Sequence, residues 1–162
     1  MTWKLRTATV ADLHHIMEIE TAVFATDAWS ESAMRDELAS ENTHYVVATA
    51  LGAPDIVQGY AGLMAPPRAT EADVQTIAVS PDVRRMGLGR VLMHALIRTA
   101  RAAAVRDVFL EVRADNDGAQ ELYRTLGFEA IGVRPGYYQP DDVDAIVMKL
   151  ELTRSAPAVG SS

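Results

Sequence analysis

Cysteine is absent from this chain of 162 residues, which excludes disulfides, thiolate metal sites and a cysteine nucleophile. Long apolar runs are absent too, none approaching the roughly 18 residues that a membrane-spanning helix needs. The first residues, MTWKLRTATVADLHHI, hold no apolar core followed by a small-residue cleavage site, so no secretion signal is expected. A cytoplasmic protein without a membrane partner is therefore the expectation. Metal-ligand spacing is also missing. The histidines at 14, 15, 44 and 94 join no carboxylate pattern, and His14 and His15 point in different directions on a helix, so no metal is expected. Positive charge is in short supply: the net charge is −7, which speaks against a nucleic-acid surface and suits a protein that attracts a cationic partner. What is present is ordinary for a globular protein, 49% hydrophobic and 23% charged, in a length that suits one domain.

The chain is organised around Val74 to Leu96, VQTIAVSPDVRRMGLGRVLMHAL. Val74, Ile77 and Val79 mark a buried strand, ended by Ser80-Pro81-Asp82 because Pro81 has no N–H for a ladder. A glycine-rich turn follows, Arg84-Arg85-Met86-Gly87-Leu88-Gly89. Then Val91, Leu92, Ala95, Leu96 and Ala100 recur at three and four, with Arg90, His94, Arg98 and Arg101 opposite, which predicts an amphipathic helix. Strand, glycine turn and helix together form an anion site. The first N–H groups of a helix lack partners and carry partial positive charge, and glycines let phosphate oxygens approach them. The dinucleotide fingerprint would need glycine at 92, where leucine stands, and the P-loop would need a lysine that this turn lacks. A tight turn that merely starts a surface helix is the plain alternative.

Elsewhere the pattern predicts a strand over 3–9, a helix from about 13 to 23, and a second helix from Ser30 and Glu31 to about Ser40. Strands follow over 45–50 and 57–64, with Gly59 and Gly62 implying a crowded or bulged face. After that long helix, which follows Gly89 and ends over 102–106, come a strand over 108–113, a helix over 117–126 stopped by Gly127, and strands over 128–133 and 145–150 separated by a long loop, 134–142. Residues 1–152 read as a single domain and 153–162 as a disordered tail rich in Ser, Ala, Pro and Gly. The order β-α-α-β-β-β-α-β-α-β-β predicts an α/β protein, a mixed and mostly antiparallel sheet with helices on both faces. Glu111 stands out. A mid-sheet carboxylate is costly unless it is paired or solvated, so either it pairs with Arg113 or another arginine, or it lines a wet cleft and serves as a base.

Arg84-x-x-Gly87-x-Gly89 after Ile77-Ala78-Val79, with this element order, resembles the GCN5-related N-acetyltransferases (GNAT) over nearly the whole chain. The span Leu110-Glu-Val-Arg-Ala-Asp-Asn116 through Leu122-Tyr123 to Leu126-Gly-Phe128 resembles one branch of that family, the bacterial ribosomal-protein alanine N-acetyltransferases. The resemblance implies the GNAT fold and acetyl-CoA as the acetyl donor. It implies cofactor contacts at Ile77, Ala78, Val79, Arg84, Arg85, Met86, Gly87, Leu88, Gly89, Arg90 and Asn116. It implies Glu111 as general base and Tyr123 as general acid, with Tyr123, Leu122 and Leu126 as core residues the lesser alternative. Tyr137 and Tyr138 resemble the branch's acceptor loop, with Pro135-Gly136 departing from its pattern. Trp29 lies where the family's acceptor site is bordered, or else wedges two helices apart. The acceptor implied is the N-terminal amine of a protein, a ribosomal protein with N-terminal alanine.

The chemistry suits those residue types. At pH 7 on the order of 10% of an α-amine is neutral, against roughly 0.04% of a lysine side chain, so a carboxylate need only remove one proton as the new bond forms. With no cysteine to carry an acyl group, direct transfer in a ternary complex is expected. Other readings remain open: acetylation of lysine side chains, a coenzyme-binding module without turnover, or an acetyltransferase for a small-molecule amine served by the acidic residues at 71, 73, 141, 142 and 144.

Overall fold

The computed structural model describes residues 2–152; the segment 153–162, expected as a tail, lies outside the described residues. The elements are β1 (Trp3–Thr7), α1 (Leu13–Val23), α2 (Glu31–Ala39), β2 (Thr43–Ala50), β3 (Val57–Met64), β4 (Glu71–Val79), α3 (Leu88–Ala102), β5 (Asp107–Arg113), α4 (Asp117–Thr125), β6 (Glu129–Tyr138) and β7 (Val143–Glu151). Their order is the one the sequence predicts. Single 3₁₀ turns precede α1 and the glycine turn. Thr9, expected at the end of β1, caps the first of these instead: its hydroxyl accepts from the backbone while Asp12 reaches back to its N–H, a reciprocal pairing that starts the helical segment.

Seven strands form one sheet in the order β1-β2-β3-β4-β5-β7-β6. Every neighbouring pair is antiparallel except β4 and β5, whose parallel pairing is made possible by the crossover through α3. That pairing is short: Glu71, Ala72 and Asp73 face Asp107, Val108 and Phe109, and beyond them the two strands part.

Helices cover both faces. One core lies under α3 and α4, where Leu88, Leu92, Met93 and Leu96 meet Val108, Leu110, Phe128 and Met148. The other lies under α1 and α2, where Ile16, Ile19 and Met34 meet Tyr45, Val47 and Tyr60. Leu88 packs directly on β3, because at Gly59 any added Cβ would meet its Cδ2 at 2.9 Å. The α1–α2 layer rests on β2, β3 and β4 and stops short of β5. The Phe109, Glu111 and Arg113 face of β5 is therefore only partly covered, which is why a central strand tolerates charge there.

One expectation is corrected. Residues 134–142 are not a long loop: β6 continues to Tyr138 and only 139–142 turn back into β7. The disguise comes from Pro135 and Gly136, which sit at a break in register between Arg134 and Tyr138. Since β6 is the outermost strand, with one edge free of any ladder among the described residues, it accommodates a residue without an N–H.

The crowding expected at Gly59 and Gly62 is present, with a register shift between Gly62 and Leu63. A Cβ at Gly62 would lie 2.1 Å from Cζ of Tyr45, whose buried ring is held by its hydroxyl donating to Glu37 at 2.7 Å. Gly62→Ala should therefore destabilise the fold by about 1–3 kcal/mol. At this size each kcal/mol lowers Tm by roughly 2–4 °C, and an unchanged melting curve would show that the ring moves aside freely.

Candidate active site

The parting of β4 and β5 opens the sheet, and the groove it leaves is where the predicted site residues gather. On the α3 side is a cavity of about 820 Å³ lined by Ile77, Ala78, Val79, Arg84, Gly89, Asn116, Leu122 and Tyr123 among others. On the other side is a cleft of about 950 Å³ lined by Trp29, Glu71, Asp73, Arg134, Tyr137 and Tyr138 among others. Glu111 lines both.

The glycine turn has the form an anion requires. Arg85 and Gly87 both adopt left-handed φ, +67° and +80°, and Gly87 is the N-cap of α3. Only a residue without a Cβ takes that conformation cheaply. None of the main-chain N–H groups of residues 85–90 has a hydrogen-bond partner among the described residues; the helix ladder begins with Val91 N–H to Gly87 carbonyl at 3.2 Å. Arg84, Arg85 and Arg90 are exposed around them, with Arg90 donating to the Thr125 hydroxyl at 2.8 Å. The side chains of Leu88 and Ala78 are in the two cores, so these residues offer a ligand only their main chain. Arg85, Met86, Gly87 and Arg90 surround the turn outside the cavity wall. Asn116, on the cavity wall, accepts from Ala119 N–H at 3.1 Å as the N-cap of α4.

The ladder also fixes where β4 aims its amides. Ser80 N–H bonds to the Gln58 carbonyl. Since antiparallel partners alternate between bonded and non-bonded pairs, the neighbouring Val79 N–H turns away from β3, into the gap.

Glu111 is both paired with an arginine and open to the cleft. Its carboxylate is 3.0 Å from Arg134 Nε and remains 30% exposed, and Tyr137 donates to it at 3.4 Å. Arg113 is not its partner and turns to Asp27, Asp115 and Asp141 instead. Tyr123 belongs to the core and also lines the cavity. Its ring is in the α3–α4 core against Phe128, 6.0 Å between centroids. Its hydroxyl has no hydrogen-bond partner among the described residues yet is not sealed from solvent, because it opens on the cavity. Burial pushes the phenol up to about 12.

Trp29 packs against the α1–α2 core and lines both cavities. The Tyr137 and Tyr138 rings meet edge to face, 5.0 Å apart. Burial first, and then the neighbouring Glu111 charge, raises the Tyr137 phenol, while Tyr138 is raised by burial and then by Tyr137 and Glu111. Of the five acidic residues noted in the sequence, Glu71 and Asp73 line the cleft. Burial and the charges of Glu111 and Glu71 raise the Asp73 carboxyl. Asp142 and Asp144 instead brace the hairpin against Gln139 and the Gly136 N–H.

Two residues that line the site belong to no motif in the sequence. Arg134 is one, hidden by the assignment of its segment to a loop. Glu20 is the other: only 1% exposed, it accepts from the hydroxyls of Tyr60 and Thr76 and from Trp29 N–H. Desolvation raises its carboxyl. Its signal in the sequence is a carboxylate on the apolar stripe of α1.

A family model for the acetyltransferase (GNAT) family matches residues 12–128. The chain belongs to that family. It is 40% identical over 144 residues to the N-alpha-acetyltransferase RimI of Mycobacterium tuberculosis, covering 87% of each chain. It is 29% identical over 144 residues to a putative ribosomal protein bS18-alanine N-acetyltransferase of Bacillus subtilis, covering 89% of this chain and 92% of that one. The crystal structure of the ribosomal-protein-S18-alanine N-acetyltransferase from Escherichia coli superimposes with a TM-score of 0.82 at 29% identity, covering 98% of this GNAT chain and 99% of that one. The mixed α/β fold expected from the element order is thus the GNAT fold. Among the described residues no helix is long and apolar enough to cross a membrane.

The buried phenol sets a pH signature. A tyrosine that titrates near 10 when unfolded and at about 12 when folded favours the native state fully below pH 10. That contribution is lost as pH climbs through 12. Phenolate absorbance between about pH 9 and 11 should therefore be the same in the wild type and Tyr123→Phe; one phenolate fewer in the variant would place the group in water.

Proposed function

We propose that this GNAT protein is an acetyl-CoA-dependent acyltransferase acting on the N-terminal amine of a protein, with a ribosomal protein beginning in alanine as the acceptor. One arrangement carries the reading. Glu111 from β5 and Tyr123 from α4 line a single cavity that begins at the anion-binding turn, and Glu111 also faces the cleft on the other side. The names of the relatives from M. tuberculosis and B. subtilis support the acceptor class.

Bound along the turn, acetyl-CoA supplies an activated acetyl thioester. The free amides of 85–90, with Arg84 and Arg85 beside them, hold its diphosphate. Val79 N–H, aimed into the gap, donates to the carbonyl oxygen as negative charge develops there. Glu111 accepts the proton of the incoming amine as the C–N bond forms. The C–S bond breaks with its electron pair on sulfur, and Tyr123 donates to that sulfur. A thiol titrates near 8.5, well below the buried phenol, so Tyr123 shares its proton with the departing thiolate and keeps it at the end of the step.

A specific observation also favours the small-amine reading. Asp27, Glu71, Asp73 and Glu111 line the cleft against one cation, Arg134, a lining that suits a polycationic acceptor.

Peptides with free and blocked N-termini, with and without lysine, together with a polyamine, separate these outcomes. Transfer is expected to free N-termini alone; acetylation that survives N-terminal blocking, or that is confined to the polyamine, would move the activity elsewhere in the family. In the same assay Glu111→Gln should lower kcat/KM about 10²-fold or more, and Tyr123→Phe should lower kcat with little change in the KM for acetyl-CoA.

A further inference from the structure

The two cavities meet in a roofed passage. Its floor is Val74 and Gln75 of β4 with Leu110 and Glu111 of β5, and its roof is built from the α1–α2 loop and the end of the β6–β7 hairpin. These roof segments are more than a hundred residues apart in the chain, yet they are fastened together. The Thr26 hydroxyl donates to Asp141 Oδ2 at 2.6 Å. Arg113 supplies the second fastening. Its Nη1 donates to Asp27 Oδ2 at 3.1 Å, on the loop, and its Nη2 to Asp141 Oδ2 at 3.3 Å, on the hairpin. Nε and Nη2 grip Asp115 at 3.0 and 3.1 Å, and the guanidinium lies over the Tyr138 ring, 5.4 Å from its centre.

Arg113 stands two residues beyond Glu111 on the same face of the same strand, so one side chain rooted beside the candidate base holds both halves of the roof. The joint is not a surface ornament: the Asp27 side chain is only 14% exposed and that of Arg113 only 23%. Three carboxylates converge on one cation here. A guanidinium has five donors in a planar fork and makes all four of these bonds at once, whereas an ammonium has three donors on a single atom and lacks the spread to reach all three carboxylates. Take the fork away and Asp27 and Asp141 face one another with charges of like sign, which pushes the loop and the hairpin apart.

We infer that Arg113, with Asp27 and Asp141, is a latch that holds the roof over the passage and thereby sets how tightly the acceptor is gripped. It is a positioning residue that acts through the two roof segments. The inference rests on the reading of the Glu111 cleft as the acceptor site. It leaves the donor turn untouched, since none of residues 84–90 takes part in the latch.

The test uses Arg113→Lys, which keeps the charge and loses the fork, and Asp141→Asn, which should fold readily because the residue is exposed. For both, the KM for an acceptor peptide should rise about tenfold or more while the KM for acetyl-CoA stays within about twofold and kcat within about threefold. Amide hydrogen exchange should quicken in 24–30 and 139–142 together, and nowhere else. Equal rises in both KM values, exchange that spreads through the core, or exchange unchanged in the two segments would each overturn the latch. If the wild type transfers acetyl to no amine, the functional reading fails by itself, and the paired quickening of exchange still decides whether the latch exists.

Discussion

β4 and β5 exchange ladder bonds only as far as Asp73 and Phe109, and the rest of the molecule is arranged to keep them apart beyond that point. Main-chain groups left without a strand partner must find water or a ligand, so the parted edges cannot simply close into core. The crossover helix α3 begins in a turn whose amides are equally unpartnered, and α4 and the α1–α2 loop stand on either side of the opening. A seven-stranded sheet without this split would be more regular and would have no interior reachable from both faces.

The opening is costly to hold, and Glu20 shows how that is done. One buried carboxylate ties α1 to β3 through Tyr60, to β4 through Thr76 and to the following loop through Trp29 N–H. Each of those donors would cost on the order of 1–3 kcal/mol if left unsatisfied out of water. The network therefore fixes the wall that carries Trp29 relative to the strand that carries Val79. A hydrophobic residue at position 20 would pack, but it would leave that wall free to slide.

Where pattern and burial agree, the sequence is easy to read. The α3 stripe, the turn before it and the alternation of Val108, Leu110 and Val112 are all plain, because each obeys a single period with its polar partners on the solvent side. Glu111 is legible for the opposite reason, since it breaks the apolar expectation of a middle strand. Legibility fails at the hairpin. Pro135 and Gly136 carry every mark of a loop, and only the outermost position of β6, a property of the assembled sheet, lets a strand contain them. That same misreading hides Arg134, whose distance to Glu111 is a tertiary fact. Arg113 could be seen as charged and inward-facing, but its choice of Asp27 and Asp141 over its near neighbour Glu111 depends on loops that close over it from distant parts of the chain.

The contact of Leu88 with β3 at Gly59 has a consequence for where the opening can give. The wall that carries the glycine turn is bolted to the main core through the first turn of α3, so it yields only when that core does. The opposite half hangs from a loop and a hairpin tip joined by side chains, and it can yield while the core stays intact. A rigid wall beside a pliant one lets the two sides of the opening respond differently to strain, the first only with the core and the second on its own.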